Sequence, residues 1–172
     1  ASVDAEAGVG VDGVLDLFDA MSLFTVPKPN QLEASVQTIY RELKRFEQFG
    51  ITESEFQRAI AMFSKNNETV YQERDKVKSD NYVNTYLGHF LRDEPAMSIE
   101  DDYQLTKQLL PTLTLKEVEA IGNKYYTDTN RDIIIMGPEK DKDKMPDETL
   151  VTNWLSTVDK ETLTAYEDQV SN

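Results

Sequence analysis

The chain has 172 residues, with 18 lysines and arginines against 32 aspartates and glutamates, no cysteine, and a formal net charge of −14. A chain of this length, with 39% hydrophobic residues, is expected to form one globular domain or a domain with an extension. The excess of negative charge repels phosphate backbones and anionic lipid headgroups, which excludes nucleic acids and acidic membrane surfaces as expected partners.

The N-terminal residues are typical of a β-hairpin. We predict strands near 2–9 and 17–26, with the glycines between Gly8 and Gly13 in the turn that joins them. Pro27 follows the second strand and is expected to end it, because proline has no amide hydrogen for a strand ladder.

From Asn30 the apolar residues recur at every third or fourth position, which is typical of amphipathic helices. The first predicted helix ends at Gly50, and Thr52-Glu53-Ser54-Glu55 is a capping box that begins the second. We expect the apolar faces of both helices to be buried. These faces contain Leu32, Val36, Ile39, Leu43 and Phe46 in the first helix and Phe56, Ile60 and Phe63 in the second.

Further helices follow with clear start and stop signals. Pro95 ends a third helix, in which Tyr82, Tyr86 and Phe90 share one face. The two tyrosines are predicted to be core residues. Ser98 begins a fourth helix. Two more helices begin at the second capping box, Thr114-Leu115-Lys116-Glu117, and at Asp147.

Residues Ile133-Ile134-Ile135-Met136 are apolar without alternation, which is typical of a strand covered on both faces, so we predict a third strand near 131–136. Because the helices separate the strands along the chain, the predicted fold class is α+β, a small antiparallel-rich sheet packed with about five to six helices. Residues 1–138 are predicted to form this domain, and 139–172 a charged linker and a short helix that lead towards the next domain.

Histidine and cysteine, which most zinc sites and thiol nucleophiles require, are scarce: the chain has one histidine and no cysteine. The single histidine, His89, is interpreted as a structural or surface residue, and neither His-Glu-x-x-His nor His-x-x-Glu-His occurs. Asp141, Asp143 and Asp147 invite comparison with a calcium loop, but Pro146 stands where such a loop needs glycine, and its twelfth position is Thr152. A solvated linker is the favoured interpretation. Glu100-Asp101-Asp102 fits the first turn of a helix, where acidic side chains are favoured. We therefore predict no catalytic, cofactor-binding or metal-binding residue in this chain.

Three stretches, taken together, resemble the zinc metallopeptidases of the pitrilysin/insulinase family, the inverted zincins. Residues 49–59 resemble a helical turn that recurs in these enzymes, and residues 71–91, which begin Tyr71-Gln72-Glu73-Arg74-Asp75-Lys76, resemble a segment of their bacterial members. The C-terminal end of one of their domains is resembled by a third stretch, which consists of residues 112–118, Asn130-Arg131 and 137–140. Order and spacing agree over about residues 18–160.

The resemblance implies repeated α+β domains in two halves that close around unfolded peptides, with zinc held in the first domain by His-x-x-Glu-His and a later glutamate. This chain is similar to the later part of the second domain, which carries no zinc and helps to form the substrate chamber. Zinc is therefore expected in the full-length protein and no cofactor in this chain, and no catalytic residue of the family carries over to a position here.

Two functions of different classes follow, with a third alternative. The chain is a non-catalytic, chamber-forming segment of a zinc metalloendopeptidase, or it is a free-standing acidic α+β protein-interaction module without enzymatic activity. A divalent-cation site built from carboxylates is the third.

The expected partners are other domains of the same polypeptide and peptide or unfolded-protein substrates, without nucleic acid or membrane insertion. An isolated fragment is also expected to be able to form a homodimer through a strand edge. The chain begins at Ala1 without an initiator methionine or a leader, so we interpret it as a mature or excised piece. The family resemblance suggests the bacterial periplasm or cell envelope as its compartment, with the cytoplasm as the alternative.

Overall fold

The structure, a computed structural model, describes residues 3–14, 18–125 and 131–167. This part of the chain contains one antiparallel hairpin and a series of helices, which is the α+β class predicted from the sequence. None of the helices in these ranges combines the length and the apolar character that a membrane-spanning segment requires. The strands are β1 (Asp4–Val14) and β2 (Phe18–Pro27), and the α-helices are α1 (Leu32–Phe49), α2 (Glu53–Gln72), α3 (Ser79–Arg92), α4 (Ile99–Leu109), α5 (Leu115–Tyr125) and α6 (Glu148–Asp159).

The chain divides into two compact units. The first consists of Ala1–Gly50 and Ala120–Asn172, and the second consists of Ile51–Glu119. The predicted role of residues 139–172 as a connection towards a further domain is not tested by this division and stays a prediction.

The hairpin of the first unit differs from its prediction in the position of the turn. Gly8, Gly10 and Gly13 lie within β1 and face β2 residues in an antiparallel register, and the connection between the strands falls at 15–17, outside the described residues. Gly8 lies within the strand because the ring of Phe24 comes close to its backbone. A Cβ atom at this position would lie 2.5 Å from that ring. Glycine at this position lets the aromatic ring lie against the backbone.

The core of the first unit lies between α1 and α6. Tyr40, Leu155 and Val158 form a buried cluster, and Val36 and Leu43 from the predicted apolar face of α1 pack against it. The hydroxyl of Tyr40 donates a hydrogen bond to Oδ1 of Asp159, 3.0 Å away, so the aromatic side chain is buried without an unpaired hydroxyl.

Both predicted capping boxes are confirmed. The Glu55 amide donates to the Thr52 hydroxyl at 3.2 Å, and the Thr52 amide donates to the Glu55 carboxylate at 2.8 Å. Thr114 and Glu117 make the same reciprocal pair at the start of α5. At the end of α1, Gly50 has a φ of 69°, and its amide donates to the Phe46 carbonyl oxygen at 2.8 Å.

In the second unit, α2 packs against α4, and Phe56 is buried as predicted. The prediction that Phe63, Tyr82 and Tyr86 belong to the core is wrong, because these side chains are 41–63% exposed. Phe90, on the same face of α3 as the two tyrosines, is 83% exposed. An apolar helix face is buried only where another element packs on it. Among the described residues, no helix or strand packs closely along α3.

The predicted third strand near 131–136 is also wrong. Residues 131–138 have no regular secondary structure, and Ile134 and Met136 are 79% and 88% exposed. A strand needs a neighbour that pairs with its amides and carbonyls, and the two-stranded sheet of the described residues offers none to this segment. Pairing of a sheet edge between two copies of the chain stays a prediction.

The α1–α6 contact should dominate the stability of the first unit. Leu155 and Leu150 lie on the same helix but are 8% and 45% exposed, so Leu155→Ala and Leu150→Ala are a matched pair of substitutions. We expect Leu155→Ala to lower the free energy of unfolding by ~2–5 kcal/mol and Leu150→Ala by less than ~1 kcal/mol. Urea unfolding followed by the fluorescence of Trp154, the one tryptophan, measures both. Equal losses would contradict this placement of the core.

Candidate functional site

His89 lies near the end of α3 and takes part in a local turn. Its Nδ1–H donates to the backbone carbonyl oxygen of Glu94 at 2.7 Å, and Asp93, with a φ of 53°, reverses the chain between them. Arg92 donates two hydrogen bonds to the Glu94 carboxylate, at 2.6 and 3.1 Å, and this pairing lowers the pKa of Glu94. The histidine thus has a structural partner in the turn that ends its helix.

Acidic side chains from both acidic clusters of the sequence take part in helix caps and ion pairs. Glu100 pairs with Arg74 at 2.9 Å, and Asp101 exchanges hydrogen bonds with the cap residue Ser98. Asp141 pairs with Lys144 at 2.9 Å, and Asp147 caps α6 by accepting from the Leu150 amide at 2.8 Å. Within the described ranges, no three histidine or acidic side chains converge in a way that could hold a metal ion.

A half-buried hydroxyl–carboxylate cluster joins the hairpin to α1. Ser35, which is fully buried, donates to Oδ1 of Asp4, and Thr25 donates to the same oxygen at 2.7 Å. The two hydroxyl oxygens lie 2.8 Å apart. A nucleophilic serine needs an adjacent base and access for a substrate, and a fully buried hydroxyl paired with a carboxylate offers no such access. The cluster therefore anchors β1 and β2 to the helix.

The motif at Tyr71 to Lys76 has a structural role that sequence reasoning missed. The rings of Tyr71 and Tyr103 stack with centroids 4.2 Å apart, and the Arg74 guanidinium lies 4.3 Å from the centroid of the Tyr71 ring. Arg74 also donates to the Tyr71 carbonyl oxygen at 2.7 Å and pairs with Glu100. The motif thus holds the end of α2 against α4. The only signal in the sequence was the presence of both tyrosines on predicted helices.

A polar cleft follows the contact between α1 and the end of α6. It is lined by Lys44, Glu47, Gln48, Val158, Asp159, Glu161 and Leu163. Beside it, Arg41 binds the Glu161 carboxylate with two hydrogen bonds, of 2.5 and 2.7 Å. This pairing raises the pKa of Arg41 and lowers the pKa of Glu161, because each charge is stabilised by the other. Two ion pairs therefore border this cleft: Arg41 with Glu161, and Lys44 with Glu47 at 3.2 Å.

Comparison with known proteins shows similarity to proteins named as proteases. No family model matches the chain. A protein named zinc protease PQQL-like from Arabidopsis thaliana is 34% identical over 90 residues, which are 52% of this chain and 9% of that protein.

Among solved structures, the first half of the periplasmic protease PqqL from Escherichia coli has a TM-score of 0.73 at 14% identity, over 96% of this chain and 36% of that one. The PqqL structure itself gives a TM-score of 0.74 at 14% identity, over 99% of this chain and 19% of PqqL. A predicted insulinase family protease from Yersinia pestis gives 0.63 at 13% identity, over 90% of this chain and 33% of that one. The resemblance to insulinase-type peptidases is confirmed.

These matches share two properties. The structural matches cover nearly the whole of this chain and, at 13–14% identity, they show a shared fold. The chain spans about a tenth of the curated relative and between a fifth and about a third of the solved chains. It is therefore similar to one segment of a protease half.

The Arg41–Glu161 pair predicts a dependence of stability on pH. Because the pKa of Glu161 is lowered in the folded chain, its pairing contributes stability above the pKa of the unfolded chain and loses it as the pH falls through the folded pKa. Glu161→Gln should therefore be less stable than the parent chain near neutral pH, and this difference should shrink as the solution becomes acidic.

Urea midpoints measured from about pH 7 towards about pH 3 test this expectation. Glu139→Gln is the control, because that carboxylate is 89% exposed and lies 3.7 Å from Lys142. A difference for Glu161→Gln that stays constant or grows in acid would contradict the assigned pairing.

Proposed function

We propose that this chain is a non-catalytic segment of a zinc metalloendopeptidase of the insulinase type, and that it forms part of the wall of the substrate chamber. The observation that carries the proposal is the coverage of the matches. Nearly the whole chain matches PqqL and its first half, while it accounts for only 19% and 36% of those two chains. The 34% identity to a PQQL-like zinc protease supports the same assignment.

The residues of this chain do not fit a catalytic zinc site. A zinc peptidase holds its metal with three protein ligands and leaves a position open for water. The motif His-x-x-Glu-His needs two histidines, and this chain has one. Nδ1 of His89 already donates a hydrogen bond to the Glu94 carbonyl oxygen. We therefore assign no step of zinc chemistry to these residues, and the metal would be bound by another part of a longer polypeptide.

What this chain contributes under the proposal is a preformed surface. The hydroxyl–carboxylate cluster fixes the hairpin on α1, the α1–α6 core closes the first unit, and the stacked tyrosines fix α2 on α4. A chamber wall positions a peptide by excluding water and offering contacts, and such binding energy supports catalysis at a distant metal. The expected partners are thus the other domains of the polypeptide and its peptide substrates.

The polypeptide encoded by the complete open reading frame tests the proposal. We expect it to contain His-x-x-Glu-His before this segment, to bind zinc, and to cleave a quenched peptide in a reaction that a chelator stops. Substituting the glutamate of that motif by glutamine should abolish cleavage, because it removes the general base. His89→Ala should leave kcat within about twofold of the parent value, because His89 is assigned no catalytic role.

Two outcomes would contradict the assignment. A loss of zinc or of cleavage in His89→Ala, with the fold retained by circular dichroism, would place this segment in the catalytic machinery. A reading frame without the zinc motif and without peptidase activity would instead favour the free-standing interaction module.

A further inference from the structure

The segment that follows α6 is held against α1 by two arginines. Residues 160–166, here called the strap, contain no helix or strand. Arg41 donates two hydrogen bonds to the Glu161 carboxylate, at 2.5 and 2.7 Å, and Nε of Arg45 donates to the Thr164 carbonyl oxygen at 3.0 Å. The two arginines are four positions apart, so they lie on the same face of α1 and contact successive parts of the strap.

The strap buries little apolar surface. Leu163 is half-buried beside the polar cleft, and the other six residues of the strap are exposed. The preceding turns of α6, by contrast, bury Leu155 and Val158 in the core. Apolar burial is not screened by dissolved ions, whereas an ion pair between partly exposed side chains contributes little and weakens as salt is added. The strap is therefore attached more weakly than the helix before it, and by contacts that depend on salt.

Both arginines act on the carboxylate of the strap. The pKa of Glu161 is lowered, chiefly by its hydrogen bonds with Arg41 and to a smaller degree by the charge of Arg45. Arg45 also pairs with Glu42, one turn before it on α1, which fixes the direction of its guanidinium. Loss of either arginine is thus expected to weaken the attachment of the strap.

We propose that the strap is a salt-sensitive element with two states, docked and released. In the docked state Glu161 and Leu163 form one wall of the polar cleft, and side chains of α1 form another. In the released state that face of α1 is open to solvent, while α6 stays in the core. Arg41 and Arg45 set the balance between the two states, and ionic strength shifts it. The inference concerns this chain alone and does not depend on the proposed function.

Trypsin tests the proposal at Lys160, the first residue of the strap, because a protease cleaves a bond only when the residues around it leave their docked conformation. The rate of cleavage between Lys160 and Glu161 is measured by mass spectrometry in the 172-residue chain. A synthetic peptide of residues 155–166 gives the rate for the free sequence under each condition. Cleavage at Lys44, within α1, is followed in the same samples and reports unfolding of the whole first unit.

We expect the parent chain to be cleaved at Lys160 at least about tenfold more slowly than the peptide in about 20 mM salt, and less than about threefold more slowly in about 500 mM salt. Arg41→Gln and Arg45→Gln should each raise the rate in low salt by at least about threefold, without faster cleavage at Lys44. Lys142→Gln is the control, because it removes the same charge from a side chain that is 75% exposed. It should leave the rate within about twofold of the parent value.

Three results would overturn the proposal. Cleavage of the parent chain at the rate of the peptide in low salt would show that the strap is not docked. A slow rate that neither salt nor the arginine substitutions change would show that the arginines do not hold it. A rise at Lys160 that is always matched by an equal rise at Lys44 would show that the strap opens only when the whole unit unfolds. The salt series on the parent chain gives the test even if a variant does not fold.

Discussion

The contact between α1 and α6 is the constraint on which the first unit depends. It joins residues about 120 positions apart in the chain: Tyr40 with Asp159 and Arg41 with Glu161. Apolar packing of Leu155 and Val158 supplies the main driving force, and the hydrogen bonds around it keep the polar groups at its edge paired. Closing so long a loop costs entropy, which the apolar burial at this contact has to offset. The hydroxyl–carboxylate cluster at Ser35 then attaches the hairpin to the same helix.

Outside this contact, many large apolar side chains of the described residues stay exposed. Among the described residues, six hydrophobic side chains are buried, whereas large ones stay exposed along α2, α3, α4 and the segment 131–136. An ordinary acidic domain with a net charge of −14 would keep such surface small, because large exposed apolar patches promote association. A segment that packs within a larger protease half has a reason to carry them. The apolar surface and the partial coverage of the relatives therefore support the same account.

The sequence predicted the local features well, because their signals are local. Capping boxes at Thr52 and Thr114 and stops near Gly50 depend on residues within one or two turns, and the structure has them as expected. The family resemblance was equally readable, since it depends on order and spacing. The prediction that this chain contains no zinc-binding residue rests on its residue types and stays a prediction. The role of the chain in a longer polypeptide stays a proposal.

The predictions that failed concern the tertiary environment. The pattern at Ile133 to Met136 is that of a covered strand, but a strand requires a pairing neighbour that the described residues do not supply. Phe63 and the aromatic residues of α3 have helical spacing, but spacing identifies a face and not the element that covers it. The stacking of Tyr71 on Tyr103 joins two helices, so it could not be inferred from either helix alone.

The most direct test of the account is a structure of the polypeptide encoded by the complete open reading frame, determined with zinc and a bound peptide. The account predicts that the described residues keep their fold, and that this segment contributes no zinc ligand and contacts both the peptide and other domains. A zinc ion bound by side chains of this segment would contradict it, as would a segment that stands apart from the rest of the polypeptide on a tether.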